Sequence, residues 1–299
     1  YLKTEGIDEN YADINPPFKP MRRLKVGTFK VESTGFRLGE RFVKIIFDNA
    51  MERNVDEIYV TLYTDREELM ALAELLLRWG FVEYGTKNNG DKKEQVLIKR
   101  MKTYNKNVSF HKNFPNILYN CNKYILPIYP KYHTSLLPDS KLNNENIVDF
   151  LGREPHRYAL QKVYISFADT NGVKPGDLIL FYRMGEDNTI KKYSSVVTTV
   201  AMVDEIICNI KSQEELLRLC QNRSVFSKEE LKKFWTRNNN LKVLKFIFVK
   251  SLKTRLTLGY LWEHGIVCAP RGPRPFMQLT NLQYDQIMAD SKTEVRYIE

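Results

Sequence analysis

Residues 32–40 read ESTGFRLGE, a glycine turn between a strand pattern at Leu24–Val31 and an amphipathic helix pattern at Leu38–Arg53. A turn that precedes a helix directs free backbone N–H groups toward one point. The positive end of the helix dipole strengthens their attraction for an anion. The sequence therefore predicts a cradle for a phosphate or pyrophosphate group at Gly35–Glu40.

The residues after this turn predict a strand, a helix and a hairpin. Ile58–Tyr63 is β-branched and aromatic, which is typical of a buried strand. Thr64 and Glu67 have the spacing of a capping box for a Leu- and Ala-rich helix, which is expected to end at Gly80. Residues 1–23 show no clear period, and we expect irregular backbone there. The hairpin strands are predicted at Phe81–Tyr84 and Gln95–Lys99.

This order of elements resembles the acetyl-CoA-binding core of the GNAT acetyltransferases. Their phosphate loop, Gln/Arg-x-x-Gly-x-Gly/Ala, aligns with Glu32, Gly35 and Arg37, and their Gly-Phe pair appears as Gly80-Phe81. The resemblance implies that acetyl-CoA is the cofactor and that backbone N–H groups near the loop polarise its thioester carbonyl. The implied cofactor-binding residues are Phe29, Val31, Gly35, Phe36, Arg37, Leu38, Gly39 and Glu40.

The sequence departs from the GNAT pattern in two ways that bear on catalysis. Few residues precede Leu24, so we expect this chain to lack the half of a GNAT domain that forms the acceptor pocket. The position of the family's general acid, four residues before Gly80, is Leu76, which leaves Tyr63 and Tyr84 as weak candidates. We expect either an upstream domain or partner chain that completes the module, or a scaffold without catalysis.

The second half of the chain resembles ASCH domains of the PUA superfamily. Ile125–Tyr132 matches the opening strand of these domains, and the turn at Pro175-Gly176-Asp177 precedes the strand pattern Leu178–Arg183. We therefore predict an α+β protein: a partial GNAT-like α/β module followed by a PUA-like (ASCH) small β-barrel with helices. The predicted division is residues 1–110, an Asn- and Lys-rich linker at 111–123, and residues 124–299. PUA-like domains commonly bind RNA.

The distribution of charge also favours RNA as a partner. The net charge is +10, of which residues 111–299 carry +8, and a basic domain commonly faces a polyanion. RNA binding requires cations for phosphates and flat rings for stacking. The alternative is an ordinary solvated basic face. The candidate RNA-binding residues are Lys131, Tyr132, Arg153, Arg157, Tyr182, Arg183, Lys191, Lys192, Arg271 and Arg274.

Composition excludes several other classes of protein. The sequence has no apolar run of about 18 residues and no signal-peptide pattern, so no membrane association is expected. The four cysteines are far apart and predict neither a metal site nor disulfides, which favours a cytoplasmic location. We expect an acetyl-CoA-dependent N-acetyltransferase-like protein that acts on RNA or an RNA-associated amine. The alternative is a non-catalytic RNA- or nucleotide-binding regulatory protein on a degenerate GNAT scaffold.

Overall fold

The structure is a computed structural model that describes residues 1–27, 38–143, 145, 155–170, 172–237 and 240–298. The chain divides into two units, each treated by itself below. The first unit comprises residues 1–117 and a short strand near the end of the chain. The second unit comprises Leu118–Arg296. The predicted linker at 111–123 spans this division.

The first unit is built on a six-stranded sheet in the order β1-β3-β4-β6-β5-β2. Its elements are β1 (Leu2–Glu5), β2 (Ile14–Asn15), β3 (Arg23–Val26), α1 (Leu38–Glu52), β4 (Glu57–Leu62), α2 (Glu67–Arg78), β5 (Val82–Asn89), β6 (Lys92–Arg100), α3 (Phe110–Asn113) and β7 (Ile117–Leu118).

The order predicted from the glycine turn onward is present in the described residues. β3 and β4 are parallel, with Arg23 opposite Glu57 and Val26 opposite Val60, and α1 makes the crossover between them. α2 ends as predicted: Gly80 has a φ of 83°, and the Phe81 N–H donates to the Leu76 carbonyl. Residues 28–37, which carry most of the predicted phosphate loop, lie outside the described residues.

Two predictions for the first unit were wrong. The first 23 residues are not irregular throughout, because β1 pairs antiparallel with β3 and β2 pairs with β5. These strands are too short to show an alternating pattern, and backbone hydrogen bonds hold them at the sheet edges. The capping box at Thr64 is also absent: Arg66 is the N-cap residue of α2, and it makes no side-chain cap bond.

The N-terminal segment is fastened by a buried carboxylate. The Glu5 side chain accepts hydrogen bonds from the hydroxyls of Tyr59 (2.7 Å) and Tyr11 (2.9 Å). Beside it, the buried Arg23 guanidinium pairs with Glu57 at 2.8 Å and lies 4.1 Å from the centre of the Phe18 ring. Burial opposes the charge of Glu5, but the hydrogen bonds from Tyr59 and Tyr11, together with Lys25 and Lys3, lower its pKa, so the carboxylate stays charged.

The second unit contains the remaining strands except the last. Its elements are β8 (Lys123–Ile128), α4 (Pro130–Leu136), a 3₁₀ turn (Pro138–Ser140), α5 (Pro155–Tyr158), β9 (Gln161–Ser166), β10 (Leu178–Arg183), α6 (Lys191–Ser194), β11 (Val196–Ile207), α7 (Gln213–Cys220), α8 (Lys228–Arg237), β12 (Lys242–Thr257), α9 (Leu258–Glu263), β13 (Met277–Leu279) and α10 (Asn281–Asp290). The final strand, β14 (Tyr297–Ile298), pairs with β7 and belongs to the first unit.

The second unit has a six-stranded sheet in the order β13-β8-β10-β11-β12-β9. The Pro175-Gly176 turn leads into β10 as predicted, with Gly176 at a φ of 90°, as a type II turn requires. All six residues of β10 are buried, which is typical of a central strand covered on both faces. Apolar side chains from β8, β10, β11 and β12 form one core, and α7 and α8 pack against β9 and β12 in another.

The predicted small barrel is seen only in part. Between the end strands β13 and β9, the described residues form no backbone ladder, so the sheet is not a hydrogen-bonded ring. The Tyr164 hydroxyl of β9 nevertheless donates to the Pro127 carbonyl of β8 at 2.9 Å, so the sheet curls enough to bring these two strands together. A side-chain bond thus links two strands that are far apart in the sheet order.

An unusual buried cation lies in β6 of the first unit. Lys99 is 3% exposed, and its Nζ donates to the Lys112 carbonyl at 2.8 Å. Among the described residues it has no carboxylate partner, and burial lowers its pKa to about 7. The folded chain therefore binds a proton less readily than the unfolded chain, where the pKa is 10.5. This difference reduces stability at and below pH 7, and the cost disappears as the pH rises toward 10.5.

We expect Lys99→Met to stabilise the first unit by about 2–3 kcal/mol at pH 7, because it removes an uncompensated buried charge and loses one hydrogen bond. Near pH 10 the wild-type amine is mostly neutral, so the variant should instead be less stable by about 1 kcal/mol. Urea unfolding at both pH values measures these stability differences. Pulsed hydrogen–deuterium exchange at the peptides of β4 and β6 reports the unfolding of the first unit. Lys93→Met, on the exposed hairpin, is the control. A stability difference that does not change with pH would contradict the lowered pKa of the Lys99 amine.

Candidate nucleic-acid interface

A cleft of about 740 Å³ opens in the second unit. One wall is formed by the residues that follow β8, Tyr129 to Tyr132, and another by the residues that follow β10, Met184 to Asp187. Strand β9 and its continuation to Ala168 form the base, and α8 closes one end with Phe234 and Arg237. The volume lies within the range of small-ligand sites.

The parallel pairing of β8 and β10 explains why two separate segments line the same cleft. Ile128 lies opposite Arg183 in the register, and the Met184 N–H donates to the Ile128 carbonyl at 3.0 Å. Both strands thus end at the same level. The segments that follow them leave the sheet side by side, as at the carboxyl ends of other parallel strands that form binding sites.

The most distinctive feature of the cleft is a row of aromatic rings, Tyr132, Phe226, Phe234 and Phe167. The ring centres of successive members are 4.7, 4.8 and 5.7 Å apart, and each pair meets edge to face. Tyr129 adds a fifth ring that is 60% exposed, and the exposed fraction of Phe167 is 37%. Edge-to-face packing fixes the rings against one another, and all five of these aromatic residues line the cleft.

Tyr164 lies deeper in the cleft than these rings. Its hydroxyl is committed to the Pro127 carbonyl, and its ring packs against Phe181 at 6.1 Å. Burial raises its pKa to about 12, so the hydroxyl remains protonated at neutral pH. Tyr164 therefore acts as a fixed floor for the cleft.

Charge is distributed unevenly around the rim. Lys131 Nζ lies 4.5 Å from the centre of the Tyr132 ring, and interaction with Tyr132 raises the pKa of Lys131. Arg237 adds a second cation at the end of α8, whereas Glu186 and Asp187 lie on the wall after β10. The rim of the cleft therefore carries both basic and acidic side chains.

Beneath the acidic wall lies a buried polar network. Arg183 donates to Glu186 at 2.7 Å and to Glu145 at 3.3 Å, and its side chain is 7% exposed. Glu145 accepts from the Thr134 hydroxyl at 2.7 Å. Nearby, His133 lies 2.9 Å from the Thr198 hydroxyl, and burial lowers its pKa to about 3, so it is neutral. This network fixes α4 and the residues after β10 in position.

The structure places six of the ten predicted RNA-binding residues in three groups. Lys131 and Tyr132 line the cleft. Arg274 is exposed and directly precedes Pro275, a lining residue, while Arg271 is exposed in the same loop. Tyr182 and Arg183 are buried in β10, with the Tyr182 ring 3% exposed, which leaves no ring face for a base in this conformation.

The remaining predicted residues are not among the lining residues of the cleft or lie outside the described residues. Lys191 and Lys192 are on α6, where they pair with Asp187 at 3.5 Å and Glu263 at 3.8 Å. Arg157 lies on α5 and does not line the cleft. Arg153 falls outside the described residues.

Sequence reasoning missed most of the aromatic row. Phe167, Phe226 and Phe234 come from three separate segments, and each one alone reads as an ordinary core residue. A signal was available at Phe226, which stands beside the capping box at Ser227 and is therefore held close to the start of α8. No sequence pattern indicates that this helix faces Tyr132.

The predicted cofactor site of the first unit is described only at its end. Phe29, Val31, Gly35, Phe36 and Arg37 lie outside the described residues. Leu38, Gly39 and Glu40 are the first residues of α1, and the Glu40 side chain is buried.

The two tyrosine candidates for a general acid already have hydrogen-bond partners. The Tyr84 hydroxyl donates to the Pro17 carbonyl at 2.8 Å, and the Tyr63 hydroxyl accepts from Asn89 at 3.0 Å. Within the described part of the chain, no group of acidic, His and Cys side chains is arranged to hold a metal ion. None of the helices described is long and apolar enough to cross a membrane.

Comparison with known proteins gives structural neighbours only. No protein-family model and no curated protein sequence matches the chain. The ASCH protein of Zymomonas mobilis is similar over 59% of this chain and 98% of its own, with 11% identity and a TM-score of 0.39. Human THYN1, solved in complex with 5-methylcytosine-containing DNA, is similar over 58% and 99%, with 12% identity and a TM-score of 0.34. The GNAT-like interpretation of the first unit remains a prediction.

Proposed function

We propose that the second unit binds single-stranded RNA and holds one base in the aromatic cleft. The observation that carries this proposal is the row Tyr132–Phe226–Phe234–Phe167, with a cation over one of its rings. Proteins commonly bind single-stranded nucleic acids with aromatic rings and nearby cations. The face of each base stacks on a ring, and each phosphate carries a negative charge.

The exposed cations of the cleft indicate the path of the RNA backbone. Glu186 and Asp187 are paired with Arg183 and Lys191, whereas Lys131 and Arg237 are exposed lining residues, so the phosphates run past these two cations. Arg274 extends this basic path, because it is exposed and adjoins the lining residue Pro275. The base then points inward, toward the rings and the Tyr164 floor.

The aromatic and basic residues should have separable effects on binding. We expect Tyr132→Ala to weaken the binding of a single-stranded RNA of about 12 nucleotides by about 1–3 kcal/mol with an unchanged salt slope, because stacking releases no counterions. Lys131→Ala and Arg274→Ala should each flatten the log–log salt slope by about 0.7. Fluorescence anisotropy over a range of salt concentrations measures both quantities.

Tyr63→Ala in the first unit is the matched control and should leave RNA binding unchanged. The same measurements with DNA of equal sequence separate a preference for RNA from general single-strand binding. Equal affinities of the wild type and Tyr132→Ala, or binding without salt dependence, would contradict the cleft as the binding site.

The acetyl-CoA function is a second candidate for the first unit. The observation that favours it is the position of α1, a 15-residue helix that follows β3 after residues 27–37 and connects two parallel strands. A helix start at the carboxyl end of parallel strands is a common place for a phosphate group. The proposed cofactor residues are those of the glycine turn, Gly35 to Glu40.

Calorimetry with CoA tests this second candidate. We expect binding by the wild type and at least about tenfold weaker binding by Arg37→Ala, which removes a charged phosphate donor. Lys93→Met, on the exposed hairpin, controls for net charge. Absence of heat from folded wild-type protein would contradict the cofactor proposal and leave the first unit as a non-catalytic scaffold.

A further inference from the structure

The first unit contains a pocket of about 400 Å³ between the end of α2, the start of β5, strand β6 and the segment 103–116. Three basic residues line it, Lys99, Arg100 and Lys112, and no Asp or Glu is among the lining residues described. The other polar residues of its wall are neutral: Thr103, Asn105, Asn113 and Asn116. The pocket wall is therefore cationic.

The segment 103–116, which forms one wall of this pocket, is held by hydrogen bonds between its own residues. Asn113 donates to the Asn105 carbonyl at 2.9 Å and accepts from the Asn105 N–H at 2.8 Å. Asn116 donates to the Thr103 carbonyl at 2.8 Å. Gly80 packs so closely against this segment that a Cβ atom at position 80 would lie 1.9 Å from the Lys112 carbonyl oxygen. The shape of the pocket is thus set by the fold.

Lys99 is the deepest of the three cations. Its only described hydrogen bond is to the Lys112 carbonyl, and the Phe47 ring centre lies 5.4 Å from Nζ. A protonated amine can donate three hydrogen bonds, and burial of its charge without a counter-charge is costly. Among the described residues, no acidic side chain is within ion-pair distance of Lys99.

We propose that this pocket binds a small oxyanion, such as a phosphate, sulfate or carboxylate group, with Lys99 as its main ligand. The anion supplies the counter-charge that the protein lacks. The exposed Lys112 also lines the pocket and attracts the anion toward Lys99, whereas Arg100 lies 3.9 Å from Glu57, which offsets part of its charge. None of the lining residues belongs to Gly35–Glu40 or to the second unit, so the proposal does not depend on either proposed function.

Binding of an anion here is coupled to a proton. An anion beside Nζ favours the ammonium form, so above pH 7 the protein takes up a proton when the anion binds. The other charged or titratable groups on the elements around Lys99 include Arg100 on the same strand, Glu57 on β4, Glu83 on β5, Lys44 and Asp48 on α1, and Lys112 and His111 on α3, where the His111 ring packs against Trp79. All of these groups are present in every protein compared below, so a difference between the wild type and Lys99→Met reports on Lys99.

The test uses sulfate, which does not itself titrate near neutral pH. Calorimetry of the full chain at pH 8, in two buffers of different ionisation enthalpy, gives the number of protons bound with each sulfate. We expect saturable binding in the millimolar range with uptake of about one proton. Lys99→Met should weaken binding at least about tenfold and abolish the proton uptake. Lys93→Met, which removes a cation from the exposed hairpin, should bind sulfate as the wild type does.

The wild-type measurement stands without any variant, so a folding defect in Lys99→Met does not affect it. Sulfate binding without proton uptake would overturn the role of Lys99. Absence of saturable binding, or unchanged binding by a folded Lys99→Met, would overturn the site.

Discussion

The curl of its sheet is the constraint on which the cleft of the second unit depends, and the hydrogen bond from Tyr164 to Pro127 marks it. β8 and β9 are separated in the sheet by three other strands, and this bond links them across the curl. Pro127 suits the position, because it has no N–H to leave unpaired and lies beyond Ile125, the last residue of β8 that pairs with β13. The curl brings β9 under the segments that follow β8 and β10. Without it, the rings of those segments would not share a cleft.

Buried charge keeps these segments in place. Arg183 ends β10 and joins Glu186, on the cleft wall, to Glu145, which also binds Thr134 of α4. Loss of one member of such a network leaves a buried charge without a partner, which commonly costs about 3–5 kcal/mol. The residues around the cleft are therefore held by a structural ion network, while the exposed cations Lys131, Arg237 and Arg274 remain available for a ligand.

Much of the fold was predictable from local sequence, and much of the site was not. Continuous apolar runs predict the buried strands, and Pro175-Gly176 and Gly80 predict turns that only a positive φ allows. The cleft depends on contacts between residues far apart in sequence, such as Tyr132 with Phe226, which no local pattern encodes. Tyr182 and Arg183 were predicted to face RNA because they combine a ring with a cation. Their strand is covered on both faces, and this burial follows from the sheet order rather than from residue type.

Photo-crosslinking tests the central claim, that a base of a single-stranded RNA enters the aromatic cleft, most directly. A short RNA that carries 4-thiouridine at one position would be irradiated in complex with the full chain, and the attached peptides identified by mass spectrometry. The account predicts that cross-links concentrate in the segments that contain Tyr129–Tyr132, Phe167 and Phe226–Phe234. Cross-links confined to the first unit, or to faces of the second unit that carry none of these rings, would contradict it.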